Sequence, residues 1–329
     1  MKILIIGGTI FLGRHIIESL LEDNHEVYMY NRGKHNSDLF EDKVTYIQGD
    51  RENQDDLKKL DNENFDAIID TCAYFPHTVK KSAEFFKNKC KLYVFISTIS
   101  VYKDNAIVGL DEDYPHIEVS KETDLTKITN ESYGYLKSEC EKIVNQIFNE
   151  KALIIRPGYI VGAYDQSDRF NMYLTEAYKN RAYLCPGTNT DFIQFIDVKD
   201  LSDWIRHLVK NNIAGTFNAT GNSYMFIDFA KMNLNIANNN QEIIELSPDF
   251  LQNNNLNKYF IMYVENKNDY TGYCKVNIEK ALANGLKLRD YQITHKEIIN
   301  FINTENFDYR LKTCYNDLEY QQIINLVNS

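Results

Sequence analysis

The chain contains no apolar run approaching the ~20 residues that a membrane-spanning helix needs. The apolar stretch in Met1-Lys2-Ile3-Leu4-Ile5-Ile6-Gly7-Gly8 is too short for a secretory core. It runs into a glycine turn and a helix-like segment, so it reads as a buried strand. None of the six cysteines (Cys72, Cys90, Cys140, Cys185, Cys274, Cys314) stands in a Cys-x-x-Cys pair, which removes zinc and dithiol redox motifs. Scattered single cysteines suit a reducing cytoplasm. The seven histidines show no metal-ligand spacing, and no metal is expected. There is no long Lys/Arg run, and the net charge is −11. A duplex binder must neutralise phosphates with cations, so nucleic acid is not an expected partner. No internal repeat is evident.

What is present is a soluble-protein composition, 43% hydrophobic and 25% charged. A chain of 329 residues is long for one compact core and fits a nucleotide-binding domain with a smaller lobe. In the first half, short apolar segments at Lys2–Ile6, Glu26–Tyr30, Val44–Ile47, Ala67–Asp70, Leu92–Ser97 and Ala152–Arg156 read as strands. Helical segments fall between them, at Gly13–Glu22, around Gln54–Leu60 and at Ser132–Phe148. The last carries an apolar stripe of Leu136, Cys140, Ile143, Val144, Ile147 and Phe148. Apolar strands joined by helices predict an α/β fold, a Rossmann doubly wound parallel sheet. Beyond Gly162 the alternation weakens, with strands at Phe192–Val198 and Thr216–Ala219 flanking a helix at Leu201–Val209. The expected division is a nucleotide-binding domain of residues 1–163 and about 190–221, with a smaller C-terminal substrate lobe of about 164–189 and 222–329. The polar tracts Asn238–Asn240 and Gln252–Asn255 read as loops or helix edges.

Gly7-Gly8-Thr9-Ile10-Phe11-Leu12-Gly13 follows a strand and opens a helix, the context of a dinucleotide-binding turn. Free amides at the helix start favour a pyrophosphate. A middle glycine is expected where Ile10 stands, so that side chain must clear the phosphates or the cofactor must sit differently. The acidic residue that would hold the ribose hydroxyls of NAD is replaced by Asn31-Arg32. A guanidinium suits the 2′-phosphate of NADP, so Arg32 favours NADP, with NAD still admitted. The alternative for Arg32 is a solvated loop residue.

Tyr133-Gly134-Tyr135-Leu136-Lys137 places a phenol and an amine one helical turn apart on one face. A neighbouring ammonium favours phenolate, which brings an ordinary Tyr pKa of about 10 toward useful acid–base chemistry. Tyr-x-x-x-Lys alone is common on helices. Its position after the glycine turn and after the hydroxyl-rich strand end Ser97-Thr98-Ile99-Ser100 gives it weight. Those hydroxyls can stabilise a substrate oxygen.

At these residues the sequence resembles the extended type of the short-chain dehydrogenase/reductase superfamily. More narrowly it is similar to an atypical subgroup with a Gly-Gly-x-x-x-x-Gly turn, labelled NAD-dependent epimerase/dehydratase, isoflavone-reductase-like or chloroplast stem-loop-binding proteins. Asn31-Arg32-Gly33, Gly49-Asp50-Arg51, Asp70-Thr71-Cys72, Arg156-Pro157-Gly158, Asp168-Arg169-Phe170 and Phe195–Leu201 extend the likeness over most of the chain. The resemblance implies Tyr133 as general acid/base, Lys137 as its partner and holder of the nicotinamide ribose, and Thr98 as the catalytic hydroxyl, with Ser97 and Ser100 as rivals. It implies cofactor contacts from Gly7, Gly8, Thr9, Phe11, Leu12, Gly13, Asn31, Arg32, Asp50 (toward the adenine amino group) and Arg51. Cys72, Ala73 and Tyr74 would flank the cofactor, and Pro157 and Tyr159 would approach the carboxamide. Arg169 and Gln194 would meet the distal substrate, an anionic group such as a sugar nucleotide diphosphate. The competing reading pairs Arg169 with Asp165 or Asp168.

The expected activity is hydride transfer on a carbonyl or alcohol of a small-molecule substrate, by a reductase or an epimerase. A dehydratase would need an acidic residue beside Thr98, and Ile99 and Ser100 supply none. The alternative is a non-catalytic nucleotide-sensing or RNA-binding protein on the same fold. The Ser132–Phe148 helix is a candidate homodimer surface.

Overall fold

The computed structural model describes residues 1–119, 123–304 and 314–329. In chain order the strands are β1 (Lys2–Ile6), β2 (Glu26–Asn31), β3 (Thr45–Gln48), β4 (Phe65–Asp70), β5 (Cys90–Ile96), β6 (Ala152–Pro157), β7 (Tyr159–Val161), β8 (Tyr183–Pro186), β9 (Phe192–Asp197), β10 (Gly215–Ala219), β11 (Ser223–Met225) and β12 (Ile243–Leu246). The helices are α1 (Phe11–Glu22), α2 (Gln54–Leu57), α3 (Pro76–Phe86), α4 (Asn130–Phe148), α5 (Asn171–Glu176), α6 (Val198–Lys210), α7 (Phe226–Ile236), α8 (Pro248–Asn253), α9 (Glu279–Ala283), α10 (Tyr291–Thr304) and α11 (Asp317–Val327).

Seven strands form one parallel sheet in the order β10-β6-β5-β4-β1-β2-β3. Both faces are covered, which explains why β1 and β4 read as unbroken apolar runs instead of alternating ones. On one face α1 and α6 pack against Ile3, Ile5, Ile69, Val94 and Ile155. On the other, α3 and α4 cover Leu4, Ile68, Tyr93, Phe95 and Ile154. Leu136, Cys140, Val144 and Phe148 of α4 are buried, while Ile143 and Ile147 of the same stripe are only partly so. Burial of each such Leu, Val or Phe stabilises by about 1.5–3 kcal/mol.

The strand order reverses between β1 and β4, and in open α/β sheets ligands bind beyond the carboxyl ends of the strands at such a switch. The glycine turn leaves β1 there, Asn31 and Arg32 end and follow β2, Thr71–Tyr74 follow β4, and Ser97–Tyr102 follow β5.

Helix α4 is started by a capping box in which Thr129 and Ser132 satisfy each other's amides. At Gly134 an added Cβ would stand 2.2 Å from the Ser100 carbonyl oxygen, so only glycine lets α4 lie directly on the loop after β5. That contact sets Tyr133 beside Thr98.

A separate apolar cluster, rich in Phe170, Tyr173, Phe226, Phe229, Phe260 and Tyr291, gathers α5, α7, α10, the parallel pair β8–β12 and one face of β9. Asp197 caps α6 by accepting the Lys199 amide at 2.7 Å. Among the described residues no helix is long and apolar enough to cross a membrane, and no His/Cys/Asp/Glu group could hold a metal ion.

Candidate active site

Two cavities open at the carboxyl ends of the sheet. The larger, about 570 Å³, is bordered by Thr98, Ser100, Tyr133, Tyr159, Arg169 and Gln194, and also by Ile261, Tyr273 and Cys274 from the C-terminal third. The smaller, about 320 Å³, is bordered by Gly7, Thr9, Ile10, Asn31, Arg32, Asp50, Arg51, Cys72 and Tyr74. The Tyr74 ring belongs to the second and lies 6.5 Å from the Tyr133 ring, which belongs to the first.

Thr98 is the extended N-cap of a short 3-10 turn, Ile99–Val101, and its hydroxyl accepts the Ser100 amide at 3.1 Å. The Tyr133 phenol borders the same cavity, and the Thr98 hydroxyl favours its ionised form. Of the two sequence rivals of Thr98, Ser100 faces the same cavity, whereas Ser97 donates to the buried carboxylate of Glu141, away from it. Burial pushes the Tyr133 phenol up to about 12; the Thr98 hydroxyl and the Arg169 charge pull the other way. The phenol is therefore held in its acid form.

Lys137 is 3% exposed, and its ammonium donates to the carbonyls of Ala73 and Ile96, each at 2.7 Å. It also lies 4.7 Å above the Tyr74 ring. Lys137 thus sits behind the wall between the cavities. The groups that hold the phenol down are Thr98 and Arg169, where the sequence points to the ammonium. The amine is instead engaged by two backbone carbonyls.

Burial lowers the Lys137 amine from 10.5 to about 8. Both folded and unfolded chains hold that proton below about pH 8. Above it the folded chain sheds the proton first, so stability from this group rises with pH until the unfolded amine also titrates. Denaturant unfolding of the cofactor-free chain is expected to show wild type gaining on Lys137→Met as pH climbs above about 8. Parallel curves at every pH would contradict this.

The smaller cavity can be tested for its fit to a dinucleotide. Gly7 and Gly8 have φ of +105° and +98°, and a Cβ on Gly13 would lie 2.9 Å from the Gly8 Cα. Glycine at these positions brings the first turn of α1 down onto the end of β1, beside the groove. Asn31 closes the other side, donating to the Gly7 carbonyl at 3.0 Å and accepting the Gly33 amide at 2.8 Å. An aspartate could not donate to that carbonyl, which accounts for the missing acid. Arg32, Lys34 and His35 edge the same groove, and none has an ion pair among the described residues. A groove with a helix N-terminus at one end and basic side chains at the other fits a dinucleotide.

Other sequence candidates are placed differently. Ile10 is 38% exposed and borders the groove rather than clearing it. Gly8, Gly13 and Leu12 lie beneath the turn, and Phe11, with φ +33°, packs edge-on to His15. Arg51 is committed to both carboxylate oxygens of buried Asp70 and to Ser82. Asp50 borders the groove, and its carboxylate accepts the Glu52 amide at 3.0 Å. Ala73 contributes its carbonyl to Lys137, and Pro157 is buried at the end of β6. Gln194 borders the larger cavity, but its amide is spent on the backbone of Gly221 and Val276. Arg169 lies 5.2 Å over the Tyr159 ring, with neither Asp165 nor Asp168 as an ion-pair partner.

Sequence reasoning missed Tyr273, whose hydroxyl donates to that of Tyr159 at 3.2 Å, and it missed Lys34 and His35. The basic pair follows Arg32-Gly33 directly and was visible as a cluster. Nothing local marks Tyr273 among the many tyrosines.

Behind Thr98 lies a buried ion pair. Arg156 meets Glu141 at 2.8 Å, and both are essentially fully buried. Arg156 also donates to the Tyr102 hydroxyl at 3.1 Å, and Ser97 donates to Glu141. Residues 97 and 102, one on each side of the turn that carries Thr98, are thereby fixed to one network.

A family model described as "NAD dependent epimerase/dehydratase family" matches residues 3–219. The chain is 26% identical over 245 residues to the chloroplast stem-loop binding protein of 41 kDa b of Arabidopsis thaliana, covering 69% of this chain and 60% of that one. It is 26% identical over 163 residues to the UDP-glucose 4-epimerase of Lactobacillus helveticus, covering 44% and 46%. The matched stretch thus spans about half to three fifths of these curated relatives. Among solved structures, the UDP-glucuronic acid 4-epimerase of Bacillus cereus in complex with NAD superposes with a TM-score of 0.68 at 18% identity, covering 92% of this chain and 99% of that one.

Proposed function

We propose, from the premise that this chain belongs to the NAD dependent epimerase/dehydratase family, that it is a nicotinamide-dependent oxidoreductase or epimerase acting on a carbonyl or alcohol. The observation that carries the reading is Thr98 and Tyr133 bordering one cavity, with Lys137 buried on the carbonyl of Ala73, the residue before Tyr74 of the glycine groove. The bound dinucleotide supplies a hydride donor or acceptor.

The rest is done by side chains of this chain. In the reducing direction Tyr133, protonated, gives its proton to the substrate oxygen as negative charge develops there. Thr98 and Ser100 offer hydroxyls to the same oxygen, and such preorganised donors stabilise it where water is excluded. In the oxidising direction Tyr133 takes the proton, and the field of Arg169 favours the resulting phenolate. The pairing of acid and hydroxyl serves a reductase and an epimerase alike, since an epimerase runs both directions in one turnover. No carboxylate borders the larger cavity among the described residues, which disfavours a dehydratase.

For the dinucleotide, the residues fit NADP better than NAD. Arg32, Lys34 and His35 border the groove with side chains suited to a 2′-phosphate, and Asn31 is already engaged with the glycine turn. Arg32→Ala is expected to weaken NADPH roughly tenfold or more and NADH little. Fluorescence titration of both dinucleotides tests this; equal losses would remove the phosphate role. The reading as a whole is tested by screening sugars, sugar nucleotides and small carbonyls for cofactor oxidation or epimerisation.

A further inference from the structure

The loop after β4 touches several parts of the proposed dinucleotide site. Its Cys72 and Tyr74 border the smaller cavity, and its Ala73 carbonyl accepts from the Lys137 ammonium at 2.7 Å. The Tyr74 ring lies 6.5 Å from that of Tyr133. Where the loop begins, the Thr71 hydroxyl donates to the Ile6 carbonyl at 2.9 Å, and a Cβ on Gly7 would collide with that hydroxyl. The glycine turn, the groove wall and the Lys137 amine thus lean on one short segment, and a shift in it displaces all three.

A buried ion pair that the chemistry at Tyr133 does not use holds this segment. Asp70, fully buried at the end of β4, accepts the Cys72 amide at 3.3 Å and the Tyr93 hydroxyl at 2.9 Å. Arg51, also buried beside the groove, meets the same carboxylate with two bonds, one to each oxygen, the first at 2.7 Å. It donates in addition to Ser82 of α3. Burying two charges costs desolvation, so such a pair contributes little stability beyond an apolar pair of similar volume. A planar fork does supply direction, because two parallel bonds fix the carboxylate in orientation as well as in distance. The Cys72 amide is then anchored on an acceptor whose rotation is blocked.

We infer that Arg51, acting through Asp70, is a positioning residue for the dinucleotide: it holds the 71–74 loop where it shapes the groove and where the Ala73 carbonyl meets Lys137. The inference rests on the dinucleotide reading of the groove and adds to it a residue whose charge is spent inside the protein.

The test applies two readouts to the full chain. Fluorescence titration gives the NADPH and NADH affinities. Peptide mass follows the rate at which iodoacetamide alkylates Cys72 without dinucleotide; Cys72 is exposed, whereas Cys90, Cys140, Cys185 and Cys274 are buried, so the label reports on the loop. Arg51→Met combined with Asp70→Asn removes both charges and leaves neither buried alone, and its melting midpoint is expected to stay close to wild type. Both dinucleotides are expected to bind roughly tenfold or more weakly, and Cys72 to react faster. A loss shared by NADPH and NADH separates this role from that of Arg32, whose effect falls on NADPH. Arg51→Lys keeps the charge without the fork and is expected to fall between; it decides by the same readouts if the double variant does not fold. The inference requires both changes: either readout unmoved in a folded variant overturns it, and the pair is then structural only. Failure of the dinucleotide reading shows separately, as a wild-type chain that binds neither dinucleotide while Cys72 alkylation still distinguishes it from the variant.

Discussion

Replacing Tyr133 with Phe is expected to lower turnover by roughly 10²–10⁴-fold while leaving dinucleotide affinity unchanged. The ring stays, so its packing near Tyr74 is kept; only the hydroxyl in the Thr98 cavity is lost. An interaction made only as the substrate oxygen gains charge lowers kcat and kcat/KM together. Single-turnover kinetics, alongside a cofactor titration, separates that loss from a binding defect. Full activity in the variant would place the acid elsewhere, with Tyr159 and Tyr273 as the nearest phenols in the same cavity.

Glu141→Ala is expected to destabilise the fold by about 3–5 kcal/mol, because it leaves the Arg156 guanidinium buried without its counter-charge. Tyr102 and the Glu112 carbonyl would remain as acceptors, but neither carries a compensating charge. The loss is read as a fall in the denaturation midpoint at constant slope. Because Ser97 also loses its acceptor, the turn that presents Thr98 loosens, and residual folded enzyme is expected to show reduced kcat. A double variant, Glu141→Met with Arg156→Leu, removes both charges and is expected to recover much of the stability. A shift below about 1 kcal/mol in the single variant would mean that the pair contributes little.

The central sheet was legible because its signals are local and strong. Lys2–Ile6 and the stripe on α4 are set by which residues must be buried, and both appear where the sequence puts them. Helix starts were read less well. Phe11 begins α1 with a positive φ, and Asn130 begins α4 through a cap on Thr129, neither of which apolar periodicity reveals. The helix α3 was not foreseen, since its buried face mixes Val79, Ala83 and Phe86 with Thr78 and Ser82.

At the site, Tyr133, Thr98 and the glycine turn were recoverable because their spacing along the chain encodes their geometry. Thr98 was preferred to Ser97 by its position in the motif, and the fold turns Ser97 toward Glu141. Arg51 looked like a cofactor ligand by position, yet Asp70 claims it, a contact across 19 residues of sequence that no local pattern predicts. Tyr273, Cys274 and Ile261 reach the cavity from the C-terminal third, where tertiary packing alone decides proximity. Sequence reasoning makes Lys137 the ammonium partner of Tyr133, whereas its amine is held by two carbonyls. Its partners, the carbonyls of Ala73 and Ile96, are backbone groups and so leave no trace in residue identity.

The most direct measurement is a crystal structure of the full chain with NADPH. Its pyrophosphate is expected against the Gly7–Gly13 turn, its 2′-phosphate beside Arg32, and its nicotinamide on the Tyr133 side of Tyr74. A dinucleotide bound outside the glycine groove, or one whose nicotinamide points away from Tyr133, would contradict a hydride-transfer site at this place in the fold.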